Sequence, residues 1–144
     1  MDIVSKSRRS EMMAGIRNRN TLPERLIRSE LHRLGFRFRL HSKKLPGKPD
    51  IVLTKYKTVI LVNGCFWHRH RHCKYAYFPK SRISFWKEKF AENIERDLNV
   101  RRSLKKLGWR VLVVWECQTT RPQVVAQRIT KTIHEAKKRR RSIQ

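Results

Sequence analysis

Ten residues, Gly64-Cys65-Phe66-Trp67-His68-Arg69-His70-Arg71-His72-Cys73, hold two thiols, three imidazoles and two aromatic rings directly after an apolar run. Thiolate and neutral imidazole are the ligands zinc prefers. A third thiol, Cys117, lies far downstream, so one metal ion could use every cysteine of the chain. Such a segment can fold a loop around a metal, present a spare imidazole for proton transfer, and hold rings against a ligand.

Asp50 is the second chemical signal. It stands at a turn-to-strand junction, after Pro46-Gly47-Lys48-Pro49 and amid basic residues. A carboxylate there can hold a hard cation such as Mg²⁺ against a phosphate, since such ions take oxygen ligands. Punctuating a turn would explain an Asp equally well. Its neighbours favour chemistry. The strand led by Asp50 faces one that ends at Val62 and Asn63, just before His68, so folding back brings together an acid, a strand-end carbonyl and an imidazole. Those are parts for metal-assisted phosphodiester hydrolysis, with His68 as general base. Glu24 is a further acid able to reach the site, although its capping-box spacing to Thr21 accounts for it structurally.

The elements that must position these groups are legible in outline. Met12, Met13 and Ile16 suggest a short basic N-terminal helix. Thr21 to Glu24 opens a helix carrying Leu26, Ile27, Leu31 and Leu34, and Gly35 stops it. Phe36, Phe38 and Leu40 alternate as in a strand, and 50–53 and 58–62 read as an antiparallel pair. A long amphipathic helix is expected over Phe85 to Leu107, with Phe90, Ile94, Leu98 and Leu104 inward. Trp109 to Trp115 reads as a central strand because its apolar run is nearly unbroken. Val124, Val125, Ile129 and Ile133 outline a closing helix. The order predicts an α/β fold, a small mixed sheet flanked by helices. Residues 1–136 form one domain, with 1–20 as a basic arm, and 137–144 form a basic tail expected to be disordered. His32, His41 and His134 read as surface residues.

The chain has 144 residues and a formal net charge of +25, from 36 Lys and Arg against 11 Asp and Glu. The run Lys137 to Arg141 supplies only five of these charges, so the excess pervades the body of the chain. A polyanionic partner is implied, nucleic acid first. A membrane is not, since no apolar stretch approaches the ~20 residues needed to span one. Three cysteines make no closed disulfide set and no signal-peptide pattern opens the chain, so a cytoplasmic, nucleoid-associated location is expected.

Several of these motifs together resemble the very short patch repair (Vsr) DNA mismatch endonucleases. The resemblance runs through Arg9-Ser10-Glu11-Met12-Met13, Asn20 to Glu24, Leu45 to Asp50, Asn63 to His68, Phe85 to Phe90, Asn93-Ile94-Glu95-Arg96-Asp97 and Leu107 to Cys117. It implies a restriction-endonuclease-like three-layer fold with a structural zinc loop. It also implies Mg²⁺-dependent nicking of duplex DNA 5′ to the T of a T:G mismatch left by 5-methylcytosine deamination. A cytosine-5 methyltransferase, a polymerase and a ligase would be functional partners, and a monomer suffices for one asymmetric lesion. By motif position Asp50 and the Val62 carbonyl hold Mg²⁺, His68 is catalytic and Glu24 assists. Zinc falls to Cys65, His70, Cys73 and Cys117. His72 competes with His70, and His70 is preferred because His72 abuts Cys73. Phe66, Trp67 and Trp86 are the rings that would enter the base stack, and Met13 would approach from the other groove. A polar loop makes deep burial of Trp67 awkward, which suits a wedge.

The chain departs from this pattern where some relatives carry His and it carries Asn63. No Glu-x-Lys ends the 58–62 strand, so His68 must serve as the base. The competing readings are a non-catalytic zinc-stabilised DNA- or RNA-binding module and a restriction-like nuclease without mismatch specificity. The former leaves Asp50 and His68 unexplained.

Overall fold

The structure is a computed structural model and describes residues 20–143. Met13 and the expected N-terminal helix lie outside the described residues. Helix α1 spans Leu22–Arg33, with Thr21 as N-cap and Pro23 in the first turn, where a missing N–H costs nothing. Gly35 follows at φ +92°, a left-handed conformation that ends the helix without a Cβ clash. Strands β1 (Arg39–Leu40), β2 (Ile51–Leu53) and β3 (Thr58–Asn63) come next, then helix α2 (Ile83–Lys106), strand β4 (Arg110–Trp115) and helix α3 (Pro122–Ile143).

The sheet order is β1-β2-β3-β4. The hairpin β2–β3 is antiparallel, as expected, and pairs Ile51 with Ile60. Strand β4 runs parallel to β3 in the register Thr58↔Arg110 through Asn63↔Trp115. It is the outer strand among the described residues, not a central one. Its unbroken apolar run has another cause: helices cover both faces. Leu112 and Val114 pack with Ile27, Leu31, Val125, Ile129 and Ile133 of α1 and α3. Val111 packs with Leu104 of α2, together with Val52 and Val59, on the opposite face. The period-2 alternation of β2, β3 and β4 thus feeds two half-cores, giving an α/β protein with helices on both sides of a small mixed sheet.

Two helix expectations shift in phase. In α2 the inward stripe is Trp86, Phe90, Asn93, Asp97, Val100 and Leu104, whereas Ile94 and Leu98 are exposed. Two polar residues interrupt this stripe, so apolar periodicity placed Phe90 and Leu104 inward as found but drew in Ile94 and Leu98 wrongly. In α3 the buried residues are Val125, Ala126, Ile129 and Ile133, with Val124 exposed. This helix also continues to Ile143 rather than giving way to a disordered tail at 137. The strand expected over Phe36 to Leu40 shrinks to two residues, because Phe36 turns into the core while Leu40 is exposed.

Gly47 sets the approach of the Pro46–Pro49 turn to α2. It adopts φ +72°, and a Cβ there would lie 2.4 Å from Val100 Cγ1. Gly47→Ala therefore meets both backbone strain and a branched side chain that cannot swing away. The variant is expected to lose roughly 1–3 kcal/mol of stability in denaturant melts, and to lose activity beyond that because Asp50 lies three residues on.

Candidate active site

The C-terminal end of the β3–β4 pair opens into a cavity of about 740 Å³ lined by Glu24, Asp50, Val62, His68, Asn93 and Asp97, among others. Glu116 also reaches it, so four of the chain's 11 acids converge on one cavity in a protein of net charge +25. Lys48 and Arg96 line the cavity too, and the carboxyl oxygens gathered there are the kind of ligand a hard divalent cation takes.

The β2–β3 hairpin positions Asp50. Its Oδ2 accepts a 2.7 Å hydrogen bond from Val62 N–H, beyond the last paired residue of β2. In an extended strand a residue's N–H and C=O point to the same side, so the Val62 carbonyl faces the Asp50 edge too. Burial, with the nearby Glu24 carboxylate adding to it, raises the Asp50 pKa from 3.8 to about 7, against the lowering effects of Val62 N–H and His41.

Glu24 does not close a capping box. Thr21 Oγ1 accepts from Glu24 N–H at 3.4 Å, but the Glu24 side chain, only 2% of the residue being exposed, turns into the site. Its Oε2 accepts from Arg28 at 3.0 Å and its Oε1 lies 2.8 Å from His41 Nε2. His41 is therefore not a free surface residue. Glu24, His41 and Asp50 offer ligand atoms that all lie within 4.8 Å of one another.

On the other wall, His68 Nδ1 lies 2.6 Å from Asp97 Oδ2. An ionised carboxylate only accepts, so Nδ1 carries the proton of this contact, and in the neutral ring Nε2 is the nitrogen that can accept one. Asn93 Nδ2 donates to the Trp67 carbonyl at 3.1 Å, tying α2 to the loop that presents His68. Sequence reasoning missed Asp97, Asn93 and His41. For the first two the signal was available: they continue the Trp86–Phe90 stripe at helical spacing.

Behind this cavity, Cys65, His70, Cys73 and Cys117 form a second cluster with ligand atoms within 4.8 Å of one another. His70 Nδ1 lies 3.6 Å from Cys65 Sγ and 3.5 Å from Cys117 Sγ. A tetrahedral zinc with bonds of about 2.3 Å to sulfur and 2.05 Å to nitrogen has an S···N edge of about 3.5 Å. The donor set and its spacing fit that ion. His70 stacks on Trp115 at 4.2 Å and 10°, which fixes its ring plane, while His72 is exposed and stands outside the cluster.

The tryptophans depart from expectation. Trp67 is 8% and Trp86 9% exposed, and with Phe90 they form a small aromatic core against half-buried Phe66. The loop can bury Trp67 because it folds back onto α2. Arg69 sits over the Phe90 ring at 3.8 Å and donates to the carbonyls of Phe66, Ala76 and Tyr77, satisfying backbone that would otherwise need water. The exposed rings nearby are Tyr75, Tyr77, Phe78 and Phe85.

Two outcomes follow from this geometry. A raised folded-state pKa means that folded Asp50 holds a proton between about pH 4 and 7 where the unfolded chain does not, so its contribution to stability is lost as pH rises through that window. With the cysteine cluster loaded and no other divalent cation added, Asp50→Asn should melt with wild type near pH 4 and above it by pH 8; added Mg²⁺ should then stabilise wild type more than the variant. In the sulfur cluster, Cys117→Ser should empty the site of bound metal by native mass spectrometry and lower the melting temperature, whereas His72→Ala should change neither.

Comparison with known proteins relates the chain to DNA endonucleases. The family model of the DNA mismatch endonuclease Vsr matches residues 1–75. The chain is 43% identical over 136 residues to the type II nicking enzyme V.NmeAIP of Neisseria meningitidis, covering 94% of this chain and 96% of that one. It is 41% identical over 135 residues to the DNA mismatch endonuclease Vsr of Escherichia coli K12, covering 93% and 86%. The type II nicking enzyme V.XorIIP of Xanthomonas oryzae is 47% identical over 117 residues, covering 81% and 85%. With likeness at that level along nearly its whole length, the chain belongs to the Vsr family of DNA mismatch endonucleases.

Proposed function

We propose that the chain nicks duplex DNA 5′ to the T of a T:G mismatch, using Mg²⁺, in a restriction-endonuclease-like framework clasped by a structural zinc. The observation that carries this reading is the acid cluster of Glu24 and Asp50 facing the His68–Asp97 pair across one cavity. When bound by Asp50 and the Val62 carbonyl, Mg²⁺ would neutralise charge on the scissile phosphate and on the leaving oxygen. The chain's own groups do the rest. His68 Nε2 takes the proton of the attacking water as that oxygen bonds to phosphorus and the phosphorus–oxygen bond of the strand breaks. Asp97 holds the ring in the required tautomer and stabilises the imidazolium that forms. Glu24 orients water at the site, fixed between Arg28 and His41. Cys65, His70, Cys73 and Cys117 hold zinc and so anchor the loop that carries His68.

Mismatch preference has a physical basis in the aromatic core. Phe66 is its half-open ring, with Trp67 and Trp86 behind it. Wedging rings between base pairs costs a few kcal/mol of stacking, least at a mispair. We infer that Phe66 leads this wedge and that the two tryptophans back it or follow it on repacking, with Met13 acting from the opposite groove. The excess of Lys and Arg provides phosphate contacts. Acting as a monomer in the cytoplasm at the nucleoid, the enzyme would serve beside a cytosine-5 methyltransferase and pass its nick to polymerase and ligase.

A strand-labelled assay comparing T:G and C:G duplexes, in Mg²⁺ and in EDTA, tests this. A Mg²⁺-dependent nick beside the mismatched T is the expected result, and equal cutting of both duplexes would reject mismatch specificity. Within that assay His68→Ala should reduce the single-turnover rate by about 10²–10⁴-fold. Asp97→Asn should slow it with little change in duplex affinity, because it disturbs the tautomer rather than the binding face.

A further inference from the structure

His41 is built into the acid cluster more firmly than a chance neighbour would be. Its backbone N–H donates to the Asp50 carbonyl at 3.2 Å, and it adopts φ +47°, a left-handed conformation that costs a side-chain-bearing residue free energy. The turn is thereby held so that the imidazole, with a side chain 11% exposed, points at Glu24.

The atoms turned toward one another are then well defined. Arg28 occupies Glu24 Oε2 at 3.0 Å, and Asn20 Oδ1 accepts from the same Arg28 nitrogen at 2.7 Å. Val62 N–H occupies Asp50 Oδ2 at 2.7 Å. The other Glu24 oxygen, Oε1, meets His41 Nε2 at 2.8 Å, and the Glu24 and Asp50 carboxyls share a side-chain hydrogen bond. These proton-mediated contacts hold the three groups together, and a cation would take the place of the protons. In an octahedral site with bonds of about 2.1 Å, adjacent ligands stand about 3.0 Å apart and opposite ones about 4.2 Å. Glu24 Oε1 and His41 Nε2 stand near the adjacent-ligand spacing, and all three ligand atoms lie within 4.8 Å of one another, close enough for a cation to draw them together.

We propose that His41 is a nitrogen ligand to the active-site cation, completing a Glu24–His41–Asp50 site that favours first-row divalent ions such as Mn²⁺ over Mg²⁺. This rests on the nuclease reading above and amends it in two respects: Glu24 and His41 join Asp50 as direct ligands, and Mn²⁺ is preferred although Mg²⁺ still supports nicking. The chemical reason is ligand type: Mg²⁺ selects oxygen and keeps its waters, whereas imidazole nitrogen shifts affinity toward Mn²⁺, Co²⁺ and their neighbours. The rival role for His41 is to steady Glu24 by a hydrogen bond. A glutamine amide can donate that bond but is a poor substitute for imidazole as a ligand, so His41→Gln separates the two.

The test uses the full chain with its cysteine cluster loaded, and Mn²⁺ as probe. Electron spin-echo modulation of bound Mn²⁺ should show directly bonded imidazole nitrogen in wild type and in His68→Gln, and none in His41→Gln. In parallel nicking titrations, His41→Gln should raise half-saturating Mn²⁺ by about tenfold or more while moving Mg²⁺ by less than about threefold. Absence of nitrogen coupling in wild type, its persistence in His41→Gln, or equal shifts for both cations would overturn the proposal. Should His41→Gln fail to fold, the wild-type and His68→Gln spectra still decide, since His41 is the other imidazole at the acid pair. Nitrogen-coupled Mn²⁺ in a protein that nicks no duplex would keep this site and remove the nuclease reading. Nicking with Mg²⁺ and no nitrogen coupling would do the reverse.

Discussion

The parallel pairing of β3 with β4 is the constraint on which the rest depends. It sets Asn63 beside Trp115, so the two strands end level and the segments that leave them meet. Cys65 and Cys117 are thereby brought together, and Cys117 N–H lies 3.4 Å from Cys65 Sγ. Residues 52 positions apart in the chain need this register before they can share one ion. The cysteine cluster then fixes the loop, and the loop delivers His68 to the cavity and Trp67 to the face of α2. A one-residue slip of β4 would turn its apolar residues to the wrong helices and part the thiols together.

Electrostatics explains why so basic a chain keeps a few acids where it does. Lys and Arg spread over the surface suit a polyanion and repel one another in its absence. Against that background Glu24, Asp50 and Asp97 line one cavity, Glu24 held at both oxygens and the other two at one each by protein partners. Burying a carboxyl is costly, and a second carboxyl beside it adds to the cost; the Asp50 carboxyl responds with its raised pKa. The site is therefore strained toward accepting a cation, while the surrounding positive field draws in the phosphate backbone. Stability is given up locally for a group poised to bind.

Much of this was legible in the residues. The cysteine–histidine loop, Asp50 after its turn, the antiparallel hairpin and the helix opened by Thr21 all rest on local signals: spacing, turn chemistry, alternation. Cys117 could be grouped with the loop because it is the one remaining thiol of the chain and stands at a strand end, where a side chain can turn toward a neighbouring loop. What stayed hidden depends on tertiary placement. The inward face of α2 carries Asn93 and Asp97, so hydrophobic periodicity pointed instead to Ile94 and Leu98. Strand β4 resembles a central strand because helices cover both its faces, although no described strand lies beyond it. Trp67 looked too polar in context to be buried, yet Arg69 and Asn93 satisfy the surrounding carbonyls. His41 gave no sign at all, since only the turn between β1 and β2 places it against Glu24.

The central claim is that Asp50 belongs to the chemistry and not merely to the duplex-binding surface. Measuring duplex affinity and single-turnover nicking side by side for wild type and Asp50→Ala tests it most directly. Nicking is predicted to vanish while affinity is retained or tightened, because a negative charge leaves the neighbourhood of the phosphates. Nicking that survives in Asp50→Ala at the wild-type rate, with binding intact, would contradict it.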